Sequence, residues 1–150
     1  MLHTESDTEP LAVQGTIRLH AIELFVIHLT KKNPSTFCGF GDHYRVLMRI
    51  VTSGGCGWGE MYFNEGNRPV DWTAWASWFE QVLHRNFKSV SSIETGLISN
   101  LRPFHLARLH LLCDALQGLS GTSGRGLGAE GEQVERSILM NTAEAYVSLF

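Results

Sequence analysis

The residues that could do chemistry are spaced in ways that match no complete catalytic or metal-binding motif. Gly126, Gly128 and Gly131 have the G-x-G-x-x-G spacing of a dinucleotide-binding turn, but a helical pattern and not a strand precedes them. His105 and His110 are five residues apart, so on a helix they would point to different sides and would not share a metal ion. The sequence therefore predicts neither a nucleotide site nor a metal site here.

Nucleophilic catalysis has equally little support in the sequence. No G-x-S-x-G motif is present, and the only base close to Cys38 along the chain is His43. The three cysteines are widely separated and contain no C-x-x-C pair, which predicts reduced thiols and no disulfide framework. A small hydrolase that uses Cys38 or a histidine is therefore the least favoured of the three functions considered for this chain.

Length and composition indicate one soluble globular domain. The chain has 150 residues, of which 43% are hydrophobic and 18% charged. A net charge of −3 with only three lysines gives no basic surface, so we expect no nucleic-acid partner. The N-terminus is polar and acidic, unlike a signal peptide, and the most apolar stretch, residues 21–29, is too short to span a bilayer. We expect a cytoplasmic protein with no membrane partner.

The first half of the chain predicts strands. Residues 1–14 lack periodicity and are expected to form a flexible arm. β-Branched and aromatic residues in 15–30 predict a long strand covered on both faces, and alternation over 44–52 predicts a second strand. Ser53-Gly54-Gly55 predicts a hairpin turn leading into a third strand at 56–61. Together these segments predict a three-stranded antiparallel meander.

The second half changes to helical spacing. Asp71 is the expected N-cap of a first helix, and apolar residues around 93–101 and 104–116 predict two more. Residues 119–131 are expected to be a glycine-rich linker. In the last segment, 132–150, residues 134–140 predict a strand and residues 142–150 predict a helix. The fold class is therefore α+β, a meander followed by a bundle of three to four helices.

Four stretches of the chain resemble the N-terminal capping domain of the enolase superfamily, of the mandelate racemase/muconate lactonizing enzyme type. They are residues 21–26, residues 46–50, Gly57-Trp58-Gly59-Glu60 and residues 107–116. The Gly-Trp-Gly-Glu hairpin is the most specific of them, and the resemblance covers residues 15–118. Two features depart from the family: Cys113 stands where tryptophan is usual, and the turn before Cys56 is one residue shorter.

The resemblance implies a division of labour between two domains. In such enzymes a C-terminal barrel holds the acid/base groups and binds the Mg²⁺ that stabilises an enolate formed from a small carboxylate substrate. The cap closes two loops over the barrel, here residues 33–44 and 61–68, and selects the substrate. Five side chains would contact the substrate: Phe37, Phe40, His43, Tyr62 and Phe63. An alternative of equal weight is that these five side chains only anchor the two loops and do not contact a substrate.

The segment after residue 131 resembles only the start of a barrel, because no K-x-K pair and no spaced carboxylate set follows. We therefore expect a capping domain that is catalytically silent alone, with no catalytic residues, metal ligands or cofactor in this chain. Its expected partner is a barrel domain, or a second copy bound through the barrel-facing surface. The alternative is a non-enzymatic interaction or dimerisation domain derived from the cap.

Overall fold

The computed structural model describes residues 16–29, 42–120 and 129–150. The arm predicted at residues 1–14 and residues 121–128 of the predicted linker lie outside the described residues. Within the described ranges the strands are β1 (Ile17–His28), β2 (Asp42–Thr52), β3 (Gly55–Asn64), β4 (Asn86–Phe87) and β5 (Ala145–Leu149). The helices are α1 (Trp72–Ala76), α2 (Val90–Ile98), α3 (Leu106–Gln117) and α4 (Ala129–Thr142), with 3-10 turns at Ser77–Val82, Pro103–His105 and Gly118–Ser120. The predicted α+β class is confirmed.

The sheet is antiparallel and is built around β1. The order β3-β2-β1 confirms the predicted meander, with Phe25 opposite Leu47 and Leu47 opposite Glu60. The other edge of β1 pairs with both remaining strands, β4 near Ile17 and β5 from Ile22 onwards. β1 is therefore hydrogen-bonded on both edges, and the sheet has two strands more than the meander.

A two-residue turn joins β2 to β3, as predicted. The Thr52 hydroxyl accepts a hydrogen bond from the Gly54 amide at 3.1 Å and donates one to the Gly55 carbonyl at 2.8 Å. Gly55 has a φ of 129°, a conformation that side chains with a Cβ rarely adopt. The glycine therefore permits the turn that sets the β2–β3 register.

The two faces of the sheet have different cores. One face packs against α1, α2 and α3, and its fully buried strand residues include Ile22, Leu24, Val46, Met48 and Ile50. On the other face, Phe25 and Leu47 pack against Leu139 of α4. Consecutive residues of β1 are buried on opposite faces of the sheet. Both its odd-numbered and its even-numbered positions therefore hold apolar residues, as expected for a strand covered on two sides.

The two glycines of the Gly-Trp-Gly-Glu hairpin allow α3 to pack unusually close to β3. A Cβ placed on Gly57 would lie 2.2 Å from the Ala115 carbonyl oxygen. A Cβ on Gly59 would lie 2.7 Å from the Ala115 nitrogen and from the Leu111 carbonyl oxygen. Asp114 of the same helix accepts a hydrogen bond from the Glu60 amide at 2.9 Å. The hairpin motif therefore has a packing function, because it fixes the position of α3.

The order of elements predicted for the C-terminal segment is wrong. The strand expected at 134–140 is part of α4, and the helix expected at 142–150 contains β5. Leu139 is buried while Ile138 and Met140 are exposed, which is the pattern of a helix with a narrow apolar side. Residues 145–149 pair instead with the edge of β1, a long-range interaction that local periodicity does not reveal.

Candidate functional site

The two loops predicted to contact a substrate begin at the same end of the sheet. His28, at the end of β1, lies opposite Tyr44, and Asn64, at the end of β3, lies opposite Asp42 at the start of β2. The Leu29 amide donates a hydrogen bond to the His43 carbonyl at 2.7 Å, so β1 and β2 stay joined up to this end. The strand ends that flank the segments 30–41 and 65–71 therefore lie next to each other at one end of the sheet.

The five side chains predicted to bind substrate are not all in loops. Phe37 and Phe40 lie outside the described residues, whereas His43 is half-buried at the start of β2. Tyr62 and Phe63 belong to β3, which is longer than predicted and ends at Asn64. Adjacent strand residues point to opposite faces, so the Tyr62 and Phe63 side chains leave β3 on opposite sides.

Phe63 is packed into the core. It is 8% exposed, and its ring meets those of Trp72 and Trp75 edge-on at centroid distances of 5.5 and 5.7 Å. This is the arrangement that the anchoring interpretation describes for Phe63. Substrate binding by Tyr62 and His43 stays a prediction.

A buried tyrosine joins the start of β2 to the loop after β3. Arg68 donates from Nη1 to the Tyr44 hydroxyl at 2.9 Å, and its guanidinium carbon lies 5.1 Å from the centre of the Tyr44 ring. The His28 ring lies 4.9 Å from the Tyr44 ring on the β1 side. Burial raises the pKa of Tyr44, so its phenol is protonated at neutral pH. Arg68 also pairs with Glu65 at 3.3 Å, which further fixes the loop.

The most strongly connected polar group of the described structure is Glu23 of β1, on the face covered by α4. It is 3% exposed. Its carboxylate accepts hydrogen bonds from Arg49 Nη1 at 2.7 Å and from the Tyr146 hydroxyl. Arg136 Nε lies 3.0 Å from each carboxylate oxygen, and Arg136 Nη2 lies 2.8 Å from Oε2. Four elements, β1, β2, α4 and β5, therefore meet at one carboxylate.

The electrostatics of this cluster keep Glu23 ionised. Burial raises the pKa of Glu23, but the hydrogen bonds from Arg136, Tyr146 and Arg49 outweigh burial and leave the pKa below its ordinary value. The hydrogen bond to Glu23 raises the pKa of Arg136, and burial followed by Glu23 raises the pKa of Tyr146. A carboxylate whose acceptor sites are already occupied is a poor general base. The cluster therefore stabilises the fold and holds α4 and β5 against the sheet.

The cysteines of the described part of the chain are not in a disulfide. Arg49 donates to Cys56 Sγ at 3.4 Å, beside the Glu23 cluster. Burial, followed by Glu94, raises the pKa of Cys113 to about 11, so this thiol is protonated at neutral pH. Cys38, considered above as a nucleophile, lies outside the described residues.

Neither a metal cluster nor a spanning helix is present in the described ranges. No group of three or more His, Cys, Asp or Glu side chains there is arranged to hold a metal ion. No helix there is long and apolar enough to cross a membrane. The carboxylates of these ranges therefore do not fit a Mg²⁺ site.

Sequence reasoning missed the Glu23 cluster, although one signal for it was present. Glu23 is the only acidic residue in the apolar stretch 21–29, and a carboxylate within a buried strand needs charged partners. The partners themselves could not be identified, since Arg136 and Tyr146 are more than a hundred residues away along the chain.

Comparisons with known proteins give one distant structural similarity. No family model matches the chain, and no curated protein matches it. A mandelate racemase/muconate lactonizing enzyme from Sulfitobacter sp is similar with a TM-score of 0.39 and 21% sequence identity. The match covers 59% of this chain and 21% of that enzyme, so the chain spans about a fifth of its length. At this level of similarity the match assigns no function to the chain.

Proposed function

We propose that this chain contains a substrate-capping domain that works with an enolase-type barrel and has no catalytic activity by itself. The proposal starts from the resemblance carried by Gly57-Trp58-Gly59-Glu60 and the neighbouring stretches. The single observation that supports it best is the side-by-side attachment of the segments 30–41 and 65–71. A cap needs two loops at one end of the sheet in order to close a barrel mouth from above and exclude water.

The packing of α3 on β3 supports the same function. The resemblance lies mainly in Gly57, Gly59 and the helix that contains Ala115, and these residues touch each other. The matching residues therefore form a closely packed meander-helix unit. Close packing suits a cap, since loops hold a substrate well only when the elements that carry them are firmly placed.

The acid/base groups and the Mg²⁺ of such an enzyme would belong to the barrel. The described carboxylates do not fit a metal site, and the most buried of them, Glu23, already accepts from three nitrogens and one hydroxyl of three residues. No reaction step is therefore assigned to residues of this chain. Their proposed role is to select a small carboxylate substrate.

The proposal is tested by combining the chain with a barrel. The 150-residue protein is mixed with an enolase-superfamily barrel that lacks its own cap, and exchange of the proton next to a carboxylate is followed by NMR in deuterated water with Mg²⁺. We expect no exchange with the chain alone, a complex by light scattering, and exchange when both parts are present. Tyr62→Ala should change the relative rates among N-acylamino acids, while the exposed Thr95→Ala on α2 should not.

Two results would contradict the proposal. Exchange by the chain alone would show that it has its own catalytic residues, and failure to bind any barrel would remove the capping role. The second result would favour the interaction or dimerisation domain. One observation fits that alternative: α4 packs on the second face of the sheet and β5 on the second edge of β1, so this face is covered by the chain's own residues without a barrel.

A further inference from the structure

Two basic side chains at the start of α3 have buried nitrogens without a hydrogen-bond acceptor among the described residues. They are His105, through Nδ1, and Arg108, through Nε and Nη1. The Arg108 guanidinium carbon lies 5.1 Å from the centre of the Trp75 ring, and the His105 ring lies 5.5 Å from the Trp78 ring. Aromatic rings therefore lie beside these basic side chains where hydrogen-bond acceptors would be expected.

The charges around this cluster have one sign. Burial lowers the pKa of Arg108, and burial followed by the neighbouring Arg108 and Arg102 lowers the pKa of His105. Four other arginines of the described residues, Arg45, Arg49, Arg68 and Arg136, form ion pairs with glutamates. A ring face stabilises a guanidinium much less than a hydrogen-bonded carboxylate does, so the covered Nε and Nη1 atoms of Arg108 are poorly compensated for their loss of water.

We propose that Arg108 and His105 bind an oxyanion, either a carboxylate or a phosphate group, at the surface between the start of α3 and the 3-10 turn at Ser77–Val82. The guanidinium lies over the Trp75 ring, and its Nε and Nη1 atoms have no acceptor among the described residues, so they can donate to an oxyanion of the kind that arginine binds. The His105 Nδ1 atom adds a donor when that nitrogen carries a proton.

The side chain next to His105 can give access to this cluster. The Phe104 ring lies 4.2 Å from the His105 ring, and Phe104 as a residue is 66% exposed. Rotation of so exposed a side chain breaks few packing contacts. Arg108 is itself only half-buried, so part of its side chain already reaches solvent. The proposal does not depend on the capping function.

The test uses the whole chain and small anions. Sodium phosphate and sodium acetate are titrated at constant ionic strength against sodium chloride, and the His105 imidazole and Trp78 indole signals are followed by NMR. We expect saturable shifts with phosphate, acetate or both, and none with chloride. Arg108→Gln should weaken the apparent affinity about tenfold or more, the usual effect of losing charged hydrogen bonds.

A matched control is available in Arg85. It also stacks on an aromatic ring, with its guanidinium carbon 5.7 Å from the centre of the Phe87 ring, but it donates to the Gln81 carbonyl at 3.3 Å. Arg85→Gln should leave the titration unchanged. The proposal is overturned if no anion gives saturable shifts, if chloride acts equally, or if Arg85→Gln weakens binding as much as Arg108→Gln.

One further measurement on the unaltered protein covers the case in which Arg108→Gln does not fold. A bound anion favours protonated His105, so a binding anion must raise the pKa of this imidazole as measured by NMR. A pKa of His105 that is the same in saturating phosphate, acetate and chloride would overturn the proposal. A preference for phosphate indicates a phosphorylated ligand, and a preference for acetate indicates a carboxylate ligand.

Discussion

Arg136 of α4 donates hydrogen bonds to both carboxylate oxygens of Glu23 in β1, across 113 residues of sequence. The same carboxylate accepts from Tyr146 of β5. The C-terminal helix and strand are therefore bound to the sheet by an ion pair whose carboxylate is buried, as well as by strand pairing and the burial of Leu139. A buried ion pair contributes little beyond its desolvation cost when intact, but loss of one partner is strongly destabilising.

Glu23→Gln is expected to destabilise the protein by about 2–4 kcal/mol, because it leaves Arg49 without its buried counter-charge, while Arg136, whose side chain is 39% exposed, is partly rehydrated. Urea denaturation followed by circular dichroism gives the free energy of unfolding. Glu60→Gln is the matched control, since Glu60 pairs with Arg45 at 2.6 Å on the same sheet but its side chain is 37% exposed. Glu60→Gln should lower the free energy of unfolding by less than about 1 kcal/mol. Equal effects of the two changes would contradict the structural importance of the Glu23 cluster.

The pH dependence of stability follows from the same carboxylate. The pKa of Glu23 in the folded protein lies below its ordinary value of 4.5. Its contribution to stability is therefore complete above pH 4.5 and is lost as the pH falls through the lower, folded-state pKa. We expect the stability difference between the wild type and Glu23→Gln to be constant from about pH 6 to pH 8 and to shrink towards about pH 3. A difference that grows on acidification would contradict the assigned direction.

The strands were predictable wherever a local pattern decided the structure. Alternation in β2 and the Ser53-Gly54-Gly55 turn were sufficient for the meander, because turn geometry and side-chain period fix the register. The C-terminal elements were not predictable in this way. Whether residues 145–149 form a helix or a strand depends on the edge of β1, which is more than a hundred residues away in the sequence.

The candidate site was predictable only in outline. The positions of its two loops followed from the predicted meander, but the end of β3 was placed three residues too early, so Tyr62 and Phe63 were assigned to a loop. Once they belong to a strand, their alternation places them on opposite faces. The unsatisfied nitrogens of Arg108 could not be predicted either, since they depend on how Trp75 packs across the bundle.

The glycines of the hairpin motif are expected to be intolerant of even one added methyl group. Gly59→Ala would place Cβ 2.7 Å from two backbone atoms of α3, so the helix must move away from β3. We expect a loss of about 1–3 kcal/mol in thermal or urea denaturation. Gly96→Ala is a control for which the opposite sign is expected. This glycine lies within α2, and beyond its chain neighbours and its own helix backbone no atom lies within 4 Å of the added Cβ. The control should stabilise the protein by about 0.5–1 kcal/mol. Destabilisation by both would indicate that close packing of α3 is not the reason for the motif.

The two aromatic residues at the end of β3 are expected to respond differently to removal. Phe63→Ala deletes a buried ring that contacts Trp72 and Trp75, so we expect a loss of about 3–5 kcal/mol in the free energy of unfolding. Tyr62 is half-exposed on the opposite face, and Tyr62→Ala should cost less than half as much. Urea denaturation of both variants measures the difference, and Phe63→Leu, which keeps most of the buried volume, should lie between wild type and Phe63→Ala. If Phe63→Ala were as stable as Tyr62→Ala, Phe63 would not be an anchor, and its assignment to substrate binding would regain support.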